Sequence, residues 1–208
     1  MKKVFITIRD AREDDLESVI DLWEQLADHH ELLSDQFERS PDSKKKWSKY
    51  LYERFSEIST KLVVAEEEGK IVAFMLCLLE PNYPIFKERK IGVISDVYVR
   101  EERRRKGLAK KMLDVAVAWF KKNKVRTVRL NVAADNLEAR AAWRMIGFEP
   151  LMIDKRLDLD RYPRNEPRKR PVRTVSHMPA DRRISRGRLR TDPVPSSPCP
   201  ALSGASSP

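Results

Sequence analysis

The spacing of apolar residues switches between two periods along the first 157 positions, and this alternation constrains the fold more than any other feature. Val4-Phe5-Ile6-Thr7-Ile8 reads as a strand ended by Arg9-Asp10. From Arg12 onward, Leu16, Val19, Ile20, Trp23, Leu26 and Ala27 recur at the spacing of one helix face. Glu13, Asp14 and Asp15 fill its first turn, where the helix dipole favours negative charge. Ser40-Pro41-Asp42-Ser43 opens a second helix with Trp47, Leu51, Phe55 and Ile58 on one face. Leu62-Val63-Val64-Ala65 and Ile71 to Leu76 flank Glu66-Glu67-Glu68-Gly69 as a hairpin, and Pro81-Asn82-Tyr83-Pro84 then breaks the pattern.

The second half continues the alternation. Ile91 to Val99 reads as a strand and Gly107 to about Lys122 as a helix. Val125 to Val132 alternates, with Val128, Leu130 and Val132 on one face and Thr127, Arg129 and Asn131 on the other. Asn136 to Met145 is a shorter helix stopped at Gly147, and Phe148 to Leu157 reads as a last strand. The order β-α-α-β-β-β-α-β-α-β predicts a mixed α and β domain built around one sheet.

Charge divides the chain at about Asp160. The net charge is +10, but residues 161–208 carry 11 Lys and Arg against Glu166, Asp181 and Asp192, leaving residues 1–160 nearly balanced. Nine of the 13 prolines and one aromatic residue, Tyr162, lie in those last 48 positions. Such a segment buries too little apolar surface to offset its ordering entropy, so residues 161–208 are expected to be a disordered Arg/Pro/Ser-rich tail behind a domain spanning 1–160. The tail uses one Lys and ten Arg where the body uses 17 and 14, which suggests a late or foreign extension. The alternative is an arm that binds nucleic acid weakly and without sequence preference by neutralising phosphates.

The stretch richest in chemistry is Ile94-Ser95-Asp96-Val97-Tyr98-Val99 followed by Arg100-Glu101-Glu102-Arg103-Arg104-Arg105-Lys106-Gly107-Leu108-Ala109. A strand leads through a short polar turn into a helix, whose first amides have no carbonyl partner and suit a phosphate or pyrophosphate. Gly107 and Ala109 let a ligand approach the backbone, and Arg103 to Lys106 add positive charge. Neither G-x-x-x-x-G-K-[ST] nor G-x-G-x-x-G occurs, so the common nucleotide loops are excluded.

Arg104-x-x-Gly107-x-Ala109 resembles the acyl-CoA pyrophosphate loop of the GNAT superfamily of N-acetyltransferases. Asp96-Val97-Tyr98-Val99 fits that family's fourth strand, and Asn136-x-x-Ala139 followed by Ala142-Trp143-Arg144-Met145-Ile146-Gly147-Phe148 fits its later helix. The resemblance covers residues 3–157 and implies a GNAT acyl-CoA N-acyltransferase fold, with a central, mostly antiparallel sheet, splayed fourth and fifth strands and flanking helices. It implies acetyl-CoA as co-substrate and a primary amine as acceptor. The expected cofactor-binding residues are Val97, Tyr98, Val99, Arg104, Arg105, Lys106, Gly107, Leu108, Ala109, Lys110, Asn131, Asn136 and Trp143. The pantetheine arm would add to the fourth strand, and the pyrophosphate would meet the amides of Arg105 to Lys110.

Two positions depart from the family pattern. Arg105 stands where a Gly is frequent, and Trp143 stands where many members carry a Tyr that protonates the departing thiolate. An indole cannot act as a general acid. Asp96 and Ser95 are the candidate catalytic residues, Asp96 being the better base. Strand alternation puts them on opposite faces, so at most one faces the cleft. Glu31, Asp35, Glu38 and Asp42 are candidates for attracting a cationic acceptor, and His29 and His30 end the first helix.

Other classes are constrained by absence of pattern. Cys77 and Cys199 make no disulfide framework, no apolar run reaches the roughly 18–20 residues of a membrane span, and no metal is expected. A cytoplasmic protein is the default. A homodimer is left open, and a non-catalytic acyl-CoA-binding module is the alternative that Trp143 favours.

Overall fold

The computed structural model describes residues 5–160 and 162. The strand-period segments assemble into one five-stranded sheet in the order β1-β2-β3-β4-β5. These are β1 (Ile6–Asp10), β2 (Thr60–Glu67), β3 (Lys70–Pro81), β4 (Lys90–Val99) and β5 (Val128–Leu130). The first four pair antiparallel, and β4 pairs β5 in parallel. The helices are α1 (Leu16–Leu33), α2 (Ser43–Phe55), α3 (Leu108–Lys122) and α4 (Leu137–Ile146).

The sheet carries a core on each face. Leu16, Val19, Ile20 and Leu51 of α1 and α2 meet Leu62, Val64, Phe74, Leu76 and Tyr98 on one side. Met112, Leu113, Ala116 and Phe120 of α3 meet Val63, Met75, Cys77 and Ile94 on the other. A strand covered on both faces is a continuous apolar run, which is why Ile71 to Leu78 is buried without interruption. Cys77 lies fully buried there, and burial pushes its thiol up to about 12, so it is inert at neutral pH.

Three sequence expectations shift. Val4 lies outside the described residues, and the first strand runs Ile6–Asp10. Ile58 falls beyond the end of α2 and is 96% exposed rather than on its apolar face. The last strand expected over Phe148 to Leu157 is absent: the segment has no assigned strand, and Leu151, Met152 and Ile153 are exposed. Pro150 has no backbone N–H to offer a neighbour, and β5 is only three residues long. Among the described residues, no helix is long and apolar enough to cross a membrane. The tail expectations, Cys199 included, concern residues outside those described apart from Tyr162.

Candidate functional site

β4 and β5 stay together only briefly. Gly92, Val93 and Ile94 pair with Val128, Arg129 and Leu130, after which β5 ends and β4 continues alone to Val99. This is the parting expected of the fourth and fifth strands. Gly92 allows the closed end to exist: an added Cβ would lie 2.6 Å from Cε1 of Phe120, so α3 packs directly on the strand backbone.

The free edge of β4 can be read residue by residue. The Arg100 amide donates to Val72 O at 3.0 Å, which makes that opposed pair a hydrogen-bonded one. In an antiparallel ladder such pairs alternate. Tyr98 and Asp96, opposite Phe74 and Leu76, therefore bond to β3, whereas Val97 and Val99 turn their N–H and C=O groups outward. The Val99 carbonyl indeed accepts from Arg104 Nε at 3.1 Å.

Ser95 is an extra residue in this strand. Leu76 pairs with Asp96 and Cys77 with Ile94, so the β4 register skips Ser95 as a bulge. The bulge corrects the expected separation of Ser95 and Asp96 on opposite faces: Ser95 Oγ donates to Asp96 Oδ2 at 2.6 Å. Asp96 faces α1 and α2, because its β3 partner Leu76 belongs to that cluster. Its carboxyl is partly open to solvent yet enclosed by enough protein that burial pushes its pKa up. Hydrogen bonds from Ser95 and from the Trp23 indole act in the opposite direction.

Aromatic residues from α1 and α2 wall this carboxylate. Trp23 stacks on Trp47 with ring centroids 4.7 Å apart and planes 11° from parallel. Tyr50 is half-buried, its pKa raised by burial, with Arg54 5.4 Å over its ring and the charges of Asp96 and Glu80 acting on it. Tyr98 is buried beside them, its hydroxyl 3.3 Å from Gln25 Oε1 and its ring beneath Arg104 at 5.6 Å. Trp23 and Tyr50 were not singled out from sequence, since an aromatic at helical spacing reads first as core. Their half-exposure distinguishes them, and that needs the fold.

The turn after β4 forms a bare helix entrance. Arg105 (φ 58°) and Gly107 (φ 74°) are both left-handed. The first backbone bond of α3 runs from the Lys111 amide to Gly107 O at 3.1 Å, so the amides of Leu108, Ala109 and Lys110 have no helical acceptor. The side chains of the basic run mostly do other work. Arg103 binds Glu67 at 2.6 Å, Lys106 Nζ donates to Glu102 O at 3.0 Å, and Lys110 pairs with Asp114 at 2.5 Å. Arg104 stays against Val99 and Tyr98. Backbone groups, with the exposed Arg105 beside them, are what the turn presents to an anion.

Asn136 caps α4: its Oδ1 accepts from the Ala139 amide at 3.0 Å, and its Nδ2 lies 3.4 Å from His29 Nε2. His29 thus joins the end of α1 to the start of α4, and His30 packs on Phe37 with its pKa lowered by burial. Asn131 is exposed just past β5. Trp143 packs against the α3-side core, edge-on to Phe148 at 5.3 Å. Part of the acidic set is paired, with Glu31 and Asp28 both bound to Arg39, and Asp42 to Lys46. Glu31, Ser34, Asp35 and Glu38 line an open depression of about 400 Å³.

A strand whose outer edge is bare beside a helix entrance of unpaired amides is the architecture of an acyl-CoA-dependent acyltransferase. The family model for the acetyltransferase (GNAT) family matches residues 26–148, and the chain belongs to that family. Acetyl-CoA is the family's co-substrate. An uncharacterized N-acetyltransferase of Methanocaldococcus jannaschii is 26% identical over 151 residues, 72% of this chain and 63% of that protein. This chain therefore spans less than two thirds of that relative. A second, from Archaeoglobus fulgidus, is 27% identical over 134 residues, 64% of this chain and 86% of that one. Among solved structures, a predicted acetyltransferase with acetyl-CoA from Clostridium acetobutylicum matches at a TM-score of 0.62 and 20% identity, covering 76% of this chain and 99% of that one. An aminoglycoside N-acetyltransferase in complex with CoA matches at 0.60 and 17%, covering 75% and 97%.

Proposed function

We propose that this protein transfers the acetyl group of acetyl-CoA directly to a primary amine, with Asp96 accepting the amine's proton. The observation that carries this reading is the Asp96 carboxylate on the α1/α2 face of β4, next to the bare strand edge, with its pKa raised by burial. An alkylamine is protonated at neutral pH, its pKa being near 10, and must lose that proton before it can attack. A carboxylate of raised pKa is a stronger base than an ordinary one, and Ser95 and Trp23 hold it in place.

Acetyl-CoA supplies the activated thioester. The outward N–H groups of Val97 and Val99 are the donors available to a carbonyl oxygen that gains negative charge, and Val97 is the nearer to Asp96 in sequence. The amides of Leu108, Ala109 and Lys110, with Arg105, Lys106 and Gly107 of the turn, are suited to the pyrophosphate. Asn131 and Asn136 border the pantetheine path. Trp143 serves as packing and provides no proton. A thiol with a pKa near that of Cys, about 8.5, leaves as thiolate and takes its proton from solvent without a dedicated acid.

Calorimetry with CoA tests the binding half, and thiol release with an amine panel tests the transfer half. Asp96→Asn is expected to lower turnover about a hundredfold or more at neutral pH and less at high pH. Equal turnover at both pH values removes Asp96 from the mechanism. Truncation after Asp160 is expected to leave both activities intact, since every strand and helix described here ends by Ile146.

A further inference from the structure

The same face of the sheet holds a cation that no described group answers. Arg129 is the middle residue of β5, in register with Val93. Val93 packs on the α1/α2 core, whereas Val128 and Leu130 pack on the α3 core. Arg129 therefore shares the face of Asp96 and Tyr98. Its Nε is buried and has no hydrogen-bond partner, and among the described residues its guanidinium makes no ion pair.

A guanidinium keeps its charge in proteins and offers a planar fork that matches a carboxylate. Buried polar groups in native proteins are as a rule partnered, and a charged donor left alone is costly. The position is as telling as the charge. Arg129 lies on the last stretch where β4 and β5 are joined, just before β4 goes on alone. From Val93 to Asp96 the bulge leaves two strand steps, and one strand spacing separates Val93 from Arg129. The Arg129 and Asp96 Cα atoms are then roughly 8 Å apart, yet the two side chains do not pair. A base and an unanswered cation thus flank one small volume. Arg100, whose Nε is also unpartnered, sits past the far end of β4 beside the turn into α3 and takes no part.

We propose that Arg129 is a specificity-determining residue that binds a carboxylate of the acceptor, so that the acceptor is an amino acid or another small amine carrying a carboxylate. Its nitrogen lies toward Asp96 and its carboxylate toward Arg129. The proposal rests on the amine-transfer reading above and narrows it. A polyamine fits the pair poorly, because its second ammonium would lie near the guanidinium. Two of the acids around the end of α1 are already engaged, Glu31 by Arg39 and Asp42 by Lys46.

The test compares matched acceptors on the full chain: L-amino acids and short ω-amino acids, each beside its carboxamide and its decarboxylated amine, with thiol release from acetyl-CoA as the readout. The free acid is expected to have a kcat/KM about tenfold to a hundredfold higher than its two analogues. Arg129→Gln is expected to raise KM for the acid about tenfold while leaving KM for acetyl-CoA and the rate on the carboxamide unchanged, and Arg129→Lys to keep part of the preference. Equal rates on acid and carboxamide, or a preference that survives Arg129→Gln, overturn the proposal and leave acetyl transfer standing. A failure of every amine to stimulate thiol release overturns the amine-transfer reading and the proposal with it. The substrate comparison on the unaltered protein needs no variant to fold.

Discussion

Ser95 and Asp96 are consecutive residues of one strand, yet their side chains meet, Ser95 Oγ donating to Asp96 Oδ2 at 2.6 Å. In a regular strand they would project to opposite faces. The bulge opposite Leu76 and Cys77 removes that alternation and gives the carboxylate a fixed donor. The Trp23 indole supplies a second one from α1.

The acid limb of the rate profile follows from these two donors. Burial raises the Asp96 pKa, and both donors lower it by stabilising the carboxylate. As the proposed base, Asp96 works only when ionised, so activity is expected to rise as pH passes upward through that pKa. Removing a donor by Ser95→Ala or Trp23→Phe raises the pKa further and moves the limb to higher pH. The profile of kcat/KM for the amine measures the shift. A limb that stays in place in both variants rules Asp96 out as the group that titrates.

The turn between β4 and α3 makes a prediction of opposite signs at two neighbouring positions. Arg105 has a left-handed backbone that costs a side-chain-bearing residue about 1–2 kcal/mol, partly offset in a glycine by its greater unfolded-state freedom. Arg105→Gly is therefore expected to gain up to about 1 kcal/mol and to raise Tm by a few degrees. Gly107→Ala is expected to lose about 1 kcal/mol. An added Cβ there meets nothing within 4 Å, so the backbone alone opposes it. Thermal melts read both, and CoA calorimetry on Arg105→Gly is expected to show binding largely retained because the loop's other amides remain.

Much of this arrangement was legible in the residues. Asn136 and Gly147 bracket α4 as cap and stop, and the period of Leu16 to Ala27 fixes the buried face of α1. Arg129 was already on the face opposite Val128 and Leu130. What sequence did not carry is whatever depends on a partner strand. The Ser95 bulge exists only in the pairing with β3, and the apolar stretch of Phe148 to Leu157 finds no strand to join. That no described group answers Arg129 Nε emerges only once the residues around it are assembled.

Gly92 offers a test of how the closed end of the cleft is held. The Phe120 ring occupies the place a Cβ would take, at 2.6 Å from Cε1 and 2.7 Å from Cδ1. Gly92→Ala is expected to cost about 1–3 kcal/mol by overpacking, since Phe120 is fully buried and has little room to move. Adding Phe120→Leu relieves the clash, so the double variant is expected to be more stable than the sum of the two single losses. Additive losses in denaturant melts would mean that the ring and strand do not meet as described.

The first strand is fastened by a part-buried ion cluster with a defined pH dependence. Arg9 binds Asp15 through Nη1 at 2.6 Å and Nη2 at 2.9 Å, and its Nε donates to Glu66 at 2.7 Å. Asp15 also accepts the Arg12 amide at 2.6 Å. The Arg9 bonds come first among the causes that hold the Asp15 carboxyl below its usual range. A carboxylate whose pKa is depressed on folding stabilises the native state above its unfolded pKa of about 3.9, and that stability is lost as pH falls through the folded value. Asp15→Asn is expected to cost about 1–2 kcal/mol at pH 7, because it leaves Arg9 half-answered and removes a charged acceptor. The deficit relative to the unaltered protein is expected to shrink steadily below pH 4, as the native carboxylate itself takes up a proton. Urea melts of both proteins across that range measure the difference, and a gap that is constant with pH would mean that Asp15 contributes shape rather than charge.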